Sequence, residues 1–122
     1  MASLKKINKN ILFTIAIPTY KRPELLSEAL NSVVNQSYKD NFEIIVVDNC
    51  NDINVSKKVD IIVNGFLKIR KIKLYRNESN LGMFGNWNQC LKKAKGKYIS
   101  ILNDDDLLDY RFVENVMLDI RG

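Results

Sequence analysis

The stretch Tyr98-Ile99-Ser100-Ile101-Leu102-Asn103-Asp104-Asp105-Asp106 joins a strand-like apolar run directly to an acidic tract. Three adjacent carboxylates at the end of a buried strand repel one another unless a cation or a set of hydrogen-bond donors lies among them. Turn and helix-cap preferences explain one or two aspartates, but they do not readily explain three beside a buried strand. The stretch therefore predicts a strand that ends at a ligand-binding edge.

Three earlier segments have the same form, in which an apolar run ends in polar residues. Residues 11–17 predict a strand buried on both faces, which Pro18 is expected to end. Residues 42–47 predict a second strand, which leads into Asp48. Residues 69–76 alternate apolar and basic side chains, as a half-exposed strand near a sheet edge does.

Helical spacing of apolar residues separates these strands. The pattern predicts helices over residues 23–34, 55–63, 84–95 and 112–120, with Asp109 as a cap on the last. Strands that alternate with helices imply right-handed βαβ crossovers and a parallel sheet. We therefore expect a three-layer α/β/α fold with a mainly parallel sheet of about four strands, and a Rossmann-like arrangement.

The third predicted helix carries the single tryptophan. Trp87, Cys90, Leu91 and Ala94 share one face of this helix, and Gly96 is expected to be its C-terminal cap. Core packing is therefore favoured for Trp87 over a place in the wall of a ligand cleft.

Length and composition restrict the class of protein. The 122 residues suit one domain, which we expect at residues 11–122 after a flexible lead-in at 1–10. The absence of histidine and of a CxxC pair excludes Cys/His metal sites and Ser-His-Asp catalysis, and no Gly-rich phosphate loop is present. No stretch approaches the about 20 apolar residues that span a bilayer, and two distant cysteines suit reduced thiols in a cytoplasmic protein.

The net charge of +5 favours an anionic partner, although a lysine excess is more often a solvated surface. Nucleic-acid binding is disfavoured, because the aromatic residues fall on apolar faces and form no stacking platform. Carboxylate oxygens favour Mg²⁺ or Mn²⁺, and one carboxylate with a diphosphate suffices for such a site. At Asp48 and Asp106, helix capping remains open as an alternative to ligand binding.

Several segments together resemble the nucleotide-binding half of the family 2 glycosyltransferases, which have the GT-A fold. These segments are FTIAIPTYKRP at 13–23, LNSVVNQSY at 30–38, FEIIVVDN at 42–49, NLG at 80–82, AKGKYI at 94–99 and LNDDDL at 102–107. The resemblance covers about residues 12–120.

The resemblance implies a set of nucleotide-binding residues for base, ribose and cleft: Pro18, Thr19, Tyr20, Arg22, Asp48, Asn80, Gly82, Asn86 and Asp104. The acidic tract resembles the family's DxD element, with Asn103 in place of its frequent first aspartate. Asp104 is then expected to contact the ribose, and Asp105 to bind the divalent cation, Mn²⁺ or Mg²⁺.

By the same resemblance, the chain is expected to bind a nucleotide-diphospho-sugar, a UDP-sugar first of all, for metal-assisted transfer to a glycan or lipid-linked acceptor. Polysaccharide synthesis at the inner face of a membrane, with peripheral membrane association, is the implied setting.

The catalytic residues themselves are not assigned within this sequence. The family's acceptor pocket and general base lie further along the chain, so the base is expected beyond Gly122. Residues 11–122 are therefore expected to bind nucleotide but not to transfer sugar alone. The alternative is a truncated or degenerate module that binds nucleotide or a partner without catalysis.

Overall fold

The expected alternation of strands and helices runs through residues 11–121, the part of the chain that the computed structural model describes. The predicted lead-in at 1–10 and Gly122, the predicted last residue of the domain, lie outside the described residues. The elements in chain order are β1 (Phe13–Thr19), α1 (Pro23–Val34), β2 (Glu43–Asp48), α2 (Ile53–Phe66), β3 (Lys73–Arg76), α3 (Gly82–Lys93), β4 (Tyr98–Ile101) and α4 (Phe112–Arg121).

All four strands are parallel and lie in the order β3-β2-β1-β4. The strands therefore all begin at one end of the sheet, here called its amino end, and all finish at the opposite carboxyl end. The predicted edge position of the third strand is confirmed, although β3 is shorter than residues 69–76, because a turn at 67–69 and irregular backbone at 70–72 precede it.

Helices cover both faces of the sheet, which confirms the three-layer prediction. One face of β1, including Ile15 and Ile17, packs in a core with residues of α1, α2 and α4. The other face, with Ala16 at its centre, packs against Cys90 of α3 and against Ala94, the residue that follows this helix. The β-branched residues of β1 and β2 suit this burial on two faces.

The expectation that Pro18 ends the first strand is wrong, because β1 continues to Thr19 and Pro18 is in register with Val47 of β2. In a parallel strand, the N–H groups of alternate residues point to opposite neighbours. Thr19 bonds toward β2, since its carbonyl accepts the N–H of Asn49, whereas Ala16 bonds toward Leu102 beyond β4. The missing N–H of Pro18 thus lies on the β4 side, past the last pair of that ladder.

The glycine predicted to cap the third helix has a different role. The helix ends at Lys93, and its capping residue is Ala94, with extended backbone. A Cβ on Gly96 would lie 2.5 Å from Thr14 Oγ1 and 2.8 Å from Thr14 N. Gly96 therefore allows the chain before β4 to pack directly on β1.

Gln36 lies in the loop after α1 and is fully buried. Its amide nitrogen donates to the carbonyls of Ser32 and Asp109, and its side-chain oxygen accepts the N–H of Val113. Gln36 thereby ties the end of α1 to the start of α4 and holds the segment that follows the acidic tract. The predicted capping group Asp109 accepts the N–H of Arg111 just before α4.

Candidate nucleotide-binding site

A cavity of about 450 Å³ opens at the carboxyl end of the sheet, where β1, β2 and β4 finish and α3 begins. Eight of the nine predicted nucleotide-binding residues line it, and so does Asp105, the predicted metal ligand. Its full lining is Pro18, Thr19, Tyr20, Arg22, Asn49, Asn80, Gly82, Met83, Asn86, Trp87, Asn103, Asp104 and Asp105. Ligand pockets commonly have volumes of about 300–1,000 Å³, and open α/β sheets bind ligands at this end.

The first wall joins the turn after β1 to the acidic tract. Thr19 Oγ1 donates to Asp104 Oδ2 at 2.8 Å. Arg22 Nη1 lies 3.5 Å from Asp104 Oδ1 and 3.4 Å from Asp105 Oδ2. Lys21 has a left-handed backbone (φ 55°) in the turn that leads from Thr19 to Arg22. One guanidinium thus neutralises part of the charge on two adjacent carboxylates.

Asp104 and Asp105 differ in burial, although they are neighbours in the chain. Burial raises the pKa of the Asp104 carboxyl above its ordinary value, and the Thr19 hydrogen bond and the charge of Arg22 oppose this rise. The Asp105 side chain is 53% exposed. Of the two carboxylates that line the cavity, Asp105 is therefore the one that can change partners without first leaving a buried hydrogen bond.

The remaining members of the tract lie in different surroundings. Asn103 lines the cavity and is exposed. Asp106 is exposed outside the cavity lining, and its capping role is not seen, because α4 begins only at Phe112. Within residues 11–121, no three Asp, Glu, His or Cys side chains converge as a ready-made metal site.

The opposite wall is held by a continuous chain of four asparagine side chains. Asn49 donates to Asn80 Oδ1 at 2.8 Å, and Asn77 donates to Asn49 Oδ1 at 2.9 Å and to Asn86 Oδ1 at 3.0 Å. The network is anchored to backbone, since Asn86 donates to the Val47 carbonyl and Asn49 Oδ1 accepts the N–H of Leu81.

This network determines where α3 begins. Asn80 Oδ1 accepts the N–H of Gly82 at 2.9 Å, and Asn49 donates to the Gly82 carbonyl. Gly82 has φ 76°, a left-handed conformation that glycine adopts at little cost. Asn80, Gly82 and Asn86, which were predicted as cleft residues, are thus brought together by Asn49 and Asn77.

Two aromatic side chains flank the cavity. Tyr20 is 40% exposed at the exit of β1. The preference for Trp87 as a core residue is wrong, because Trp87 is half-buried and lines the cavity in edge-to-face contact with Phe84. Cys90 does face the core, but Leu91 is 47% exposed, so the buried face of α3 is rotated from the predicted one.

Asp48 is the predicted nucleotide-binding residue that lies outside the cavity lining. It is fully buried, accepts the N–H of Cys50 at 3.0 Å, and lies 3.1 Å from Arg76 Nε. Its alternative role as the cap of α2 is not seen, because Asp52 caps that helix through the N–H groups of Asn54 and Val55. Contact between Asp48 and a base stays a prediction, and it requires this buried arrangement to open.

Sequence reasoning did not assign Asn49, Met83, Trp87 and Asn103 to the site, yet all four line the cavity. Asn49 and Asn103 each adjoin a predicted site aspartate at the end of a strand, so their sequence positions could have predicted their place in the cavity.

Neither cysteine adds to the site. Cys50 and Cys90 are buried free thiols, and burial raises the pKa of Cys90 to about 12, which keeps it protonated.

The glycosyl transferase family 2 model matches residues 14–121 of this chain. The chain belongs to glycosyl transferase family 2. An uncharacterized glycosyltransferase of Methanocaldococcus jannaschii is 35% identical over 113 residues, which are 85% of this chain and 38% of that protein. A Campylobacter jejuni GalNAc(5)-diNAcBac-PP-undecaprenol β-1,3-glucosyltransferase is 36% identical over 97 residues, 78% of this chain and 30% of that protein.

Similar solved structures confirm the expected GT-A likeness. Staphylococcus aureus TarS 1–349 in complex with UDP-GlcNAc superposes with a TM-score of 0.75 and 27% identity, over 91% of this chain and 31% of that one. A Pyrobaculum calidifontis mannosyltransferase in complex with GDP-Man and Mn²⁺ superposes with a TM-score of 0.70 and 25% identity, over 81% and 29%. This family 2 chain thus spans about a third of the length of these proteins.

Within residues 11–121, every helix is too short or too polar to cross a bilayer.

Proposed function

We propose that the cavity at the carboxyl end of the sheet binds the nucleotide-diphospho part of a sugar donor, with a UDP-sugar as the first candidate. The observation that carries this proposal is the convergence of eight predicted residues and Asp105 on one cavity of about 450 Å³. The structural likeness to TarS in complex with UDP-GlcNAc supports it.

The lining residues have chemistry that suits each part of the ligand. Tyr20 and Trp87 offer aromatic surfaces for the base. Asp104, which is held by Thr19, accepts hydrogen bonds from ribose hydroxyls. Arg22 has a 52% exposed side chain and supplies positive charge for the diphosphate.

The metal ligand that we propose is Asp105, which would hold Mn²⁺ or Mg²⁺ when the donor is bound. The donors fit a hard cation, because the tract supplies oxygen ligands, and Mg²⁺ commonly uses one or two carboxylates plus substrate phosphates. When bound, the cation stabilises the negative charge of the diphosphate leaving group. The Mn²⁺ complex of a structural neighbour supports this assignment. Arg22 neutralises part of the charge on Asp105 when the carboxylate has no cation.

The reaction that follows is displacement at the anomeric carbon of the donor. A bond forms from an acceptor hydroxyl oxygen to this carbon, the bond to the diphosphate oxygen breaks, and the nucleoside diphosphate leaves. We propose a glycan or lipid-linked acceptor, in keeping with the undecaprenol-linked substrate in the name of the Campylobacter relative. Such an acceptor implies polysaccharide synthesis at the inner face of a membrane, with peripheral association of the protein.

Deprotonation of the acceptor hydroxyl requires a general base, and we assign that role to none of residues 11–121. The expectation of a base beyond Gly122 stays a prediction. The separation of donor binding from acceptor deprotonation that it implies stays one too. The chain spans 38% of the Methanocaldococcus relative and 30% of the Campylobacter one, which leaves room in such proteins for an acceptor-binding region. We therefore propose that residues 11–122 bind the donor and that sugar transfer needs residues outside this range.

Calorimetric titration of the purified chain with UDP, with and without Mn²⁺, tests the proposal. We expect UDP binding that strengthens with Mn²⁺, and a loss of about tenfold or more in affinity for Asp105→Ala, since the charged ligand group is removed. Asp106→Ala is the matched control, because Asp106 belongs to the same tract but is outside the cavity lining. Absence of metal-dependent binding, or an equal loss in both variants, would contradict the proposal.

A further inference from the structure

The outward face of α3 is apolar, whereas part of its buried face is polar. Phe84, Trp87 and Leu91 follow the i, i+3, i+7 spacing of one helix face. Phe84 is 69% exposed and Met83, beside it, is 60% exposed. We call Met83, Phe84, Trp87 and Leu91 the apolar stripe. On the buried side, Asn86 is 3% exposed.

The stripe lies in a segment with an unusual charge. Residues 79–103 contain four of the nineteen basic residues of the chain and none of its fourteen acidic ones. The four are Lys92, Lys93, Lys95 and Lys97. The carboxylates of residues 11–121 that form ion pairs do so with other basic residues. The segment itself therefore presents apolar side chains and positive charge, and one carboxylate that contacts it, Glu43, is buried and accepts the N–H of Lys95.

Two ordinary explanations account for only part of this arrangement. Lys92 and Lys93 lie in the last turn of α3, where positive charge stabilises a helix. That effect explains their place but not the exposure of Phe84 and Leu91. Single exposed apolar residues are common in proteins, but a stripe that is contiguous along a helix and continuous with a cavity is not explained in this way.

Surfaces that bind anionic membranes combine these two properties. Aromatic and aliphatic side chains enter the headgroup region, and nearby lysines attract acidic lipids. Tyr98 adds a 42% exposed aromatic ring to the same segment, with Lys97 Nζ 5.6 Å from the ring centre.

We infer that the apolar stripe and the four lysines dock this protein on an anionic phospholipid surface. The stripe is continuous with the candidate site, because Met83 and Trp87 also line the cavity. Docking therefore brings the mouth of the cavity to the membrane interface. The functional value of this position rests on the proposed function, since a lipid-linked acceptor would reach the cavity from the membrane. The docking itself is inferred from the apolar stripe and the lysines alone.

Flotation with lipid vesicles tests the docking. We expect the wild-type chain to float with phosphatidylcholine vesicles that contain phosphatidylglycerol, to bind pure phosphatidylcholine much less, and to dissociate as salt is raised. Leu91→Ser combined with Lys92→Gln should weaken vesicle binding about tenfold, because it removes one apolar contact and one charge. The matched control is Ile61→Ser with Lys57→Gln on α2, where Ile61 is 71% exposed; it should bind like wild type.

Three results would overturn the inference: no vesicle binding by the wild type, equal binding to neutral and anionic vesicles, or an equal loss in the control. A dimer in light scattering that Phe84→Ser dissociates would also overturn it, because a second copy would then cover the stripe. UDP titration of the Leu91/Lys92 variant separates this inference from the proposed function. Neither residue lines the cavity, so its UDP affinity should stay at the wild-type value. Vesicle binding without UDP binding would leave the docking intact and remove the proposed function.

Discussion

The two ends of the sheet hold a buried carboxylate by similar means and with different results. At the amino end, Glu43 is 7% exposed, accepts a hydrogen bond from Thr14 of β1 at 2.8 Å and lies 3.4 Å from Lys73. At the carboxyl end, Asp104 is also 7% exposed, accepts from Thr19 of β1 at 2.8 Å and lies 3.5 Å from Arg22. Each carboxylate thus has a β1 threonine and one basic partner.

What differs is the space beside each carboxylate. Next to Glu43, the N–H of Lys95 donates to the same carboxylate and the N–H of Gly96 donates to Thr14 Oγ1, so the chain closes over the group. Next to Asp104, a cavity of about 450 Å³ remains, and the Arg22 side chain is 52% exposed. In this fold, a buried carboxylate therefore indicates a ligand site only where its partners stay open to a ligand. We expect changes at the amino end to alter stability and changes at the carboxyl end to alter binding.

The largest expected effect is at the amino end. Glu43→Ala leaves the Thr14 hydroxyl and the Lys95 N–H without their acceptor and removes the partner of Lys73. The free energy of unfolding should fall by about 2–4 kcal/mol. Denaturant unfolding measures this loss, and a loss below about 1 kcal/mol would show that the amino-end network is not structural.

Packing at the amino end gives the next effect. Gly96→Ala would place a Cβ 2.5–2.9 Å from atoms of Thr14 and Phe13, and should cost about 1–3 kcal/mol. Gly65→Ala in α2 is the matched control, because nothing lies within 4 Å of its added Cβ, and it should stabilise the protein by up to about 1 kcal/mol. Thermal unfolding of both variants tests this contrast, which fails if they change stability in the same direction.

At the carboxyl end, Asn77→Ala removes the donor that joins Asn49 to Asn86. We expect a loss of about 1–2 kcal/mol in stability, with a several-fold loss of UDP affinity because the start of α3 is no longer held. Asn88→Ala, at an exposed position of α3, is the control and should change neither quantity. A loss of stability without any loss of UDP affinity would remove Asn77 from the positioning of the cleft.

Arg22→Gln should lower stability less than Asn77→Ala does, and it should lower UDP affinity more. Its ion pairs join a half-exposed guanidinium to Asp104 and Asp105, and such pairs contribute about 0–1 kcal/mol. UDP affinity should nevertheless fall about tenfold, since a charged contact to the diphosphate is lost. Calorimetry measures the UDP affinity, and denaturant unfolding measures the stability. Unchanged UDP affinity would contradict the proposed contact between Arg22 and the diphosphate.

The smallest expected effect is a change in the pH dependence of stability. Because burial raises the pKa of Asp104 above its ordinary value of 3.8, the folded state holds the proton more tightly than the unfolded state. The contribution of Asp104 to stability should therefore be greatest at low pH and decline as pH rises from its unfolded pKa through its folded pKa. Asp104→Asn lacks this titration, so the stability of the wild type relative to the variant should decline as pH rises, which unfolding between pH 3 and 7 measures. A relative stability that is flat with pH would contradict the raised pKa.

The topology was predictable because the strands are long apolar runs and each ends in polar residues that must gather at one end of a parallel sheet. Thr19, Asn80 and Asp104, which the family resemblance predicted as nucleotide-binding residues, do line one cavity at that end. Side-chain orientation was harder to predict. Helical spacing in α3 predicted a buried face that includes Trp87 and Leu91, whereas the buried face includes Asn86, which the chain of amides satisfies.

Contacts between distant segments were not predictable from local patterns. The pair Glu43 and Thr14 depends on the register of β1 and β2, and the closure at Gly96 depends on how the chain enters β4. The burial of Gln36, which lies in the loop after α1, was not predictable because its partners, Asp109 and Val113, are far along the chain.

Amide chemical-shift mapping of the ¹⁵N-labelled chain, titrated with UDP and Mg²⁺, tests the contrast between the two ends most directly. We predict the largest shifts at residues 19–22, 80–87 and 103–105, which form or adjoin the lining of the cavity, and little change at Glu43, Lys95 and Gly96. Shifts centred on the amino end, or no shifts at saturating UDP and Mg²⁺, would contradict a nucleotide site at the carboxyl end of the sheet.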